Sequence, residues 1–208
     1  MRTAFIGLVT LVASVAFAQL ETRNPVCDVA GMARVGARPQ PNAIVWLEAS
    51  GAPSAAAALG TPNGVPPPGK QQRYVLDQRN LAFVPQVLVV PVGATVEFPN
   101  NDRVFHNVFS FKDGKRFDLG LYPIGTVKQL RFDKPGLSRV FCNIHPGMAA
   151  YVMVVDTPYF AISDDDGRFM VRGVPAGSYT YRAWRPGGTT LTDSIAVAPG
   201  AELEVRWP

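Results

Sequence analysis

Histidine and cysteine are scarce in this 208-residue chain, with two of each, and charged residues make up only 17% of it. Two histidines cannot furnish several imidazole-rich metal centres within one chain. Lys and Arg outnumber Asp and Glu by 20 to 16, a formal net charge of +4, or +3 once Arg2 is removed. That imbalance is too weak to argue for a nucleic-acid partner, while leaving room for an acidic protein partner. No long amphipathic helical pattern is present, and after the first residues no apolar run is long enough to span a bilayer.

What is present starts with a targeting signal. Arg2 is a short positive leader, Ala4 to Val15 an apolar run, and Ala16-Phe17-Ala18 a small-residue cleavage site. Together they describe a secretory signal peptide over residues 1–18. The other reading, an uncleaved anchor, meets an apolar run that is short for a bilayer. Cleavage after Ala18 leaves Gln19 first and predicts a periplasmic or secreted product with no membrane span. In such a compartment Cys27 and Cys142 are able to pair as a disulfide, which is one reading of the two cysteines.

The remainder reads as all-β. Ala43-Ile44-Val45-Trp46-Leu47 is a short apolar run of strand type, whereas Cys27 to Arg38 has no clear period. Ser50 to Lys70 is dense in Ala, Gly and Pro and reads as a loop or linker, since consecutive prolines lack the amide protons of a sheet ladder. From Tyr74 onward short β-prone runs alternate with breakers such as Pro91, Gly93, Pro99, Gly125 and Pro135. Many short strands at close spacing argue for sandwiches or barrels. Phe105, Phe109 and Phe111 are expected in the core. Lys112, Lys115 and Arg116 are expected in a solvated turn, with Asp113 and Asp118 interspersed.

The most informative pattern is His106, Cys142, His145 and Met148, which reads H-x35-C-x2-H-x2-M and uses both histidines. Two imidazoles, a thiolate and a weak axial thioether form the ligand chemistry of blue-copper centres. Pro146 and Gly147 allow the short loop to turn, one fixing φ and the other freeing it. The set favours copper over magnesium or calcium, while zinc remains a plausible occupant of the same atoms. Met148 taken alone also fits as core packing. A disulfide does not explain the spacing of His145 and Met148.

The chain resembles the cupredoxins of the plastocyanin and amicyanin type over residues 74–156. The resemblance is carried by Phe83-Val84-Pro85, Val92-Gly93, Val96-Glu97-Phe98-Pro99-Asn100, His106-Asn107-Val108 and Phe141-Cys142-Asn143-Ile144-His145-Pro146-Gly147-Met148. The short Cys-x2-His-x2-Met loop is similar to that of amicyanin. The resemblance implies one type 1 copper held by His106, Cys142, His145 and axial Met148. It further implies that Asn107 ties the two ligand loops together, and that His145, Pro146 and Gly147 form an electron port. The fold of that family is a Greek-key β-sandwich, and the resemblance implies that it shuttles single electrons between a donor and an acceptor redox protein.

Ser163 to Val171, with its Asp166-Gly167 turn, and Val174 to Trp184 resemble the carboxypeptidase regulatory-like (transthyretin-like) β-sandwich. That family also opens on a strand like Pro41 to Glu48, so the resemblance implies a copper module inserted into this second sandwich. The alternative gives Ile44 to Leu47 to the copper module as its first strand. The expected organisation is a signal peptide over 1–18, a strand and Pro/Gly/Ala-rich linker over 19–73, a cupredoxin over 74–156 and a regulatory-like sandwich over 157–208, completed by 41–48. Asp164, Asp165 and Asp166 invite a calcium reading, but the full EF-hand loop is missing and an acidic turn is expected.

Three function classes compete. An exported electron carrier that is not an enzyme is the leading one. A copper carrier or structural sandwich without a redox role is the alternative. Enzymes are disfavoured: multicopper oxidases and nitrite reductases need further histidines, and a polysaccharide monooxygenase needs an amino-terminal histidine where Gln19 is expected. Acyl transfer through Cys142 and His145 lacks an orienting third group and leaves Met148 without a role.

Overall fold

The computed structural model describes residues 24–50 and 73–208; the expected signal peptide and residues 51–70 of the expected linker lie outside them. Among the described residues there are eighteen strands and no helix, and hence no helix long and apolar enough to cross a membrane. In chain order they begin with β1 (Val26–Val35), β2 (Arg38–Pro39), β3 (Ile44–Ala49), β4 (Tyr74–Val75), β5 (Asp77–Arg79) and β6 (Ala82–Val84). There follow β7 (Val87–Pro91), β8 (Thr95–Pro99), β9 (His106–Ser110), β10 (Phe117–Tyr122), β11 (Val127–Arg131) and β12 (Gly136–Phe141). The last are β13 (Ala149–Val155), β14 (Phe160–Ile162), β15 (Arg168–Pro175), β16 (Gly177–Trp184), β17 (Leu191–Val197) and β18 (Glu202–Trp207).

Two sandwiches result. In one, a sheet of order β10-β9-β12-β13-β7 faces a sheet β11-β8-β4. Between them lies a core of Leu76, Phe83, Val90, Val96, Phe98, Val108, Phe132, Val140, Val152 and Val154 among others. In the companion sandwich, β15-β1-β18 with β2 faces β14-β3-β16-β17 around Val29, Val45, Leu47, Phe169, Val171, Val205 and Trp207. The strand expected at Ile44–Leu47 is β3. It pairs antiparallel with β14 and β16, both beyond Thr157, so a strand from before residue 50 completes a sheet whose other members follow the copper-site loop.

The continuity of the apolar run in β3 now has a cause. Val45 and Leu47 face the companion core, while Ile44 and Trp46 enter a third cluster with Val87, Val89, Met153, Val155 and Trp184. A strand buried on both faces has no reason to alternate polar and apolar residues. The third cluster joins the outer face of β3 and β16 to the outer face of β7 and β13, so the two sandwiches share apolar packing.

β1 was illegible in the sequence because its centre must be small. Gly31 lies opposite Phe169 on one side and Leu203 on the other. A Cβ there would stand 2.2 Å from Phe169 Cζ and 2.4 Å from the Leu203 carbonyl oxygen. β10 was missed for another reason: Gly120, at φ +67°, sits in a register shift between Asp118 and Leu121 that interrupts any period of two.

The aromatic expectation needs correction. Phe105 and Phe111 are 57% and 60% exposed, and Phe109 is half-buried. Phe109, Phe111 and Phe141 stack on one another, with ring centroids 5.6–6.0 Å apart. They occupy the outer face of β9 and β12, whereas the companion sandwich covers only the β13 and β7 end of that sheet. The acidic turn is closed by Asp164, whose Oδ1 accepts the Asp166 and Arg168 amides at 3.0 and 2.7 Å, and Gly167 adopts φ +78°. Lys115 pairs with Asp133 at 2.8 Å and Arg139 with Asp113 at 3.4 Å, as a solvated turn region would.

The companion core contains a titratable reporter. Tyr179 is buried and donates its hydroxyl to the Pro175 carbonyl at 2.9 Å. Burial pushes its pKa up to about 12, with Tyr159 and Cys27 adding. A tyrosine that holds its proton longer in the folded state than in the unfolded chain, where it ionises near 10, contributes stability that is complete below about pH 10 and lost towards about pH 12. Tyr179→Phe should therefore flatten the alkaline fall of stability in urea unfolding measured from pH 9 to 12. An unchanged slope would assign that fall to other groups.

Candidate metal centre

The sequence positions His106 at the start of β9, where it pairs with Tyr122 of β10, and Cys142 directly after β12. Side chains alternate along a strand, so His106 and Val108 point into the core of their sandwich. His106 is 0% exposed, Cys142 7% and Met148 3%. The loop from Cys142 closes on itself: the Cys142 amide donates to the Met148 carbonyl and the Met148 amide to the His145 carbonyl, each at 3.2 Å. Pro146 and Gly147 occupy the middle of the second turn, and Gly147 has φ +89°, the arrangement of a type II turn. This turn brings His145 back over Cys142.

The three side chains converge. Cys142 Sγ lies 3.8 Å from His106 Nδ1 and 3.6 Å from His145 Nδ1, and the two Nδ1 atoms are 3.0 Å apart. Their donor atoms form the one group of three or more potential metal-ligating His, Cys, Asp or Glu found among the described residues. The point equidistant from three atoms so spaced is about 2 Å from each, the length of a metal–nitrogen bond and a little short of a metal–sulfur bond. Two imidazoles and a soft thiolate are donors suited to copper, so the residues fit that metal. Met148 ends the same loop and is buried in the same core cluster as Cys142.

Cys27 does not compete for the thiolate. Both cysteines are free, and Cys27 lies in the companion core while Cys142 lies in the other. Asn107 is placed differently from the expectation. Its side-chain amide donates to Asp118 Oδ1 at 2.8 Å, on β10, which flanks β9 on the side away from the Cys142 loop. Adjacent residues of a strand face opposite ways, so Asn107 is turned from the site that His106 enters. His145 is half-buried, and Pro146 and Gly147 are exposed beside it.

Sequence reasoning missed Asp102. Its Oδ2 lies 3.0 Å from His106 Nε2 and accepts the Leu81 amide at 2.7 Å; its Oδ1 accepts the Arg103 amide at 3.1 Å. The Leu81 amide holds this carboxyl below its usual range, with burial opposing, and His106 and the Arg103 amide add to the lowering. The turn that carries Asp102 is set by fully buried Asn100, which accepts the Asp102 amide at 2.9 Å and donates to the carbonyls of Val104 and Tyr122 at 2.9 and 3.0 Å. The only hint in the sequence was an acid four residues before a histidine, a weak one.

Residues 71–155 match the model for copper binding proteins of the plastocyanin/azurin family, and residues 145–207 that for the carboxypeptidase regulatory-like domain. No curated protein matches the chain. Among solved structures, a purple cupredoxin from Nitrosopumilus maritimus is 26% identical over 39% of this chain and 99% of that one, with a TM-score of 0.37. An amicyanin variant in its reduced Cu(I) form is 22% identical over 53% of this chain and 98% of its own, with a TM-score of 0.37. A Cu-containing nitrite reductase from Thermus scotoductus is 25% identical over 50% of this chain but only 27% of its own, with a TM-score of 0.40. The chain thus matches, in tandem, the model for copper binding proteins of the plastocyanin/azurin family and that for the carboxypeptidase regulatory-like domain, neither over half of its length.

Proposed function

We propose that this chain is an exported type 1 (blue) copper protein that passes single electrons between a donor and an acceptor protein and catalyses no bond chemistry of its own. The observation that carries this reading is the convergence of Cys142 Sγ with the Nδ1 atoms of His106 and His145. Bound copper supplies a one-electron couple. The protein holds the donors still: His106 is buried in a strand, Cys142 follows a paired strand, and His145 sits in a hydrogen-bonded turn. Met148, buried at the end of that turn, would offer its thioether as a further, weaker donor. Three strong donors and a thioether around one ion would leave little room for a substrate, and both histidines of the chain already belong to the cluster. Export rests on residues 1–18.

The half-buried His145 would be the route for electrons, since it is flanked by Ile144, which is 44% exposed, on one side and by exposed Pro146 and Gly147 on the other. Gly147 is a poor place to test this, because at φ +89° any side chain would be strained and would disturb the ligand turn. Ile144 avoids that strain. With one equivalent of Cu(II) the mature protein should show the intense visible thiolate band and the narrow EPR splitting of a type 1 site; absence of the band would refute the reading. Oxidation of the reduced protein by hexacyanoferrate(III), an anion, should slow several-fold in Ile144→Glu and quicken in Ile144→Lys, by about tenfold between the two at low salt. Equal stopped-flow rates would place the port elsewhere.

A further inference from the structure

His106 presents Nδ1 to Cys142 and His145, and something must hold its other nitrogen. A ligating imidazole is oriented by the partner of its second nitrogen, and a carboxylate in that position also raises the basicity of the ring. Here that partner is Asp102, 3.0 Å from Nε2. The same Oδ2 accepts the amide of Leu81 at 2.7 Å, and Leu81 is an unusual donor. It stands at φ +57° after Asn80 at φ +54°, in the two-residue turn between β5 and β6, and its side chain is 54% exposed. A leucine in left-handed backbone is strained, because its Cβ crowds the carbonyl oxygen. Burial of the side chain does not offset that, but the turn it makes aims an amide at Asp102.

The carboxylate is therefore gripped from three sides by donors: Leu81 and Arg103 amides and the imidazole. Asn100 fixes the backbone beneath it. A group that accepts everywhere can bond His106 only through an Nε2–H, which in the neutral imidazole leaves Nδ1 with its lone pair directed at the site. We propose that Asp102 is a positioning residue of the metal centre, fixing His106 with its proton on Nε2 and Nδ1 free for the metal, and that its negative charge favours the more oxidised metal. The second half of this statement rests on the copper reading above; the first half does not.

Two kinds of measurement separate them. In the metal-free protein, nitrogen-15 NMR should show His106 protonated on Nε2 in the wild type and a mixture of tautomers in Asp102→Ala. In the copper-loaded protein, Asp102→Asn preserves shape and should keep the visible band while the ratio of Cu(II) to Cu(I) affinity falls about tenfold, a rise of about 59 mV in a one-electron midpoint potential. Asp102→Ala should lower copper affinity by about 10–100-fold. A wild-type His106 protonated on Nδ1, or an alanine variant with an unaltered tautomer, would overturn the positioning role. An unchanged potential in Asp102→Asn would overturn the charge effect and leave a fastener of the loop. If the wild type shows no thiolate band, the blue-copper reading and the charge effect fall together, and the tautomer of the metal-free protein still decides the positioning of His106.

Discussion

Cys142→Ser should abolish the intense visible band of the Cu(II)-loaded protein and leave the fold in place. The band belongs to charge transfer from thiolate to metal, and a serine hydroxyl is a harder donor that stays protonated at neutral pH. The exchange nearly conserves volume at a site 7% exposed, so the cost to folding should stay within about 1–2 kcal/mol. Cys27→Ser is the matching control. Cys27 is a free thiol in the other core, and its serine variant should keep the band at full intensity. A serine variant at 142 that retains the band would remove Cys142 from the site, and a peptide pair linked through Cys27 and Cys142 in the copper-loaded protein would do the same.

Trp184→Ala should cost about 3–5 kcal/mol of stability, the range for deleting a large buried aromatic. Trp184 is 6% exposed at the end of β16 and meets Tyr151 of β13 edge to face, with ring centroids 5.0 Å apart. Its other neighbours in the shared cluster, Val87, Val89, Met153 and Val155, belong to the strands of the sandwich that carries His106 and Cys142, while Ile44 and Trp46 belong to the companion. The loss should consequently appear in both halves of the molecule. Thermal bleaching of the copper band should move to lower temperature together with the unfolding of the companion sandwich followed by circular dichroism. If the band melts at the wild-type temperature while the companion unfolds early, the shared cluster does not couple the two sandwiches.

Legibility in the sequence followed the range over which each feature is determined. The Cys142 loop was readable because its residues lie within seven positions, where spacing and turn chemistry act almost without outside help. His106 was readable through scarcity, since the one other histidine, His145, already belonged to the Cys142 loop. β3 was readable as a strand because its apolar run is continuous, and the regulatory-like resemblance indicated its partners. β1 was not, because Gly31 answers to Phe169 across the sheet and not to any local pattern. Phe105 and Phe111 were misread because hydrophobicity states a preference for burial, whereas coverage depends on where the neighbouring sheet ends.

By itself the sequence determined the β character of the chain, the thiol and two imidazoles of the candidate metal centre, and the turn that brings His145 back over Cys142, since these depend on residue type and short spacing. Only the tertiary structure decided that Asp102 stands behind His106, that Asn107 turns away to Asp118, and that one apolar cluster joins the two sandwiches. Each of those depends on strands far apart in the chain being brought into register, and short-range periodicity carries no information about which distant backbone will lie within hydrogen-bonding reach.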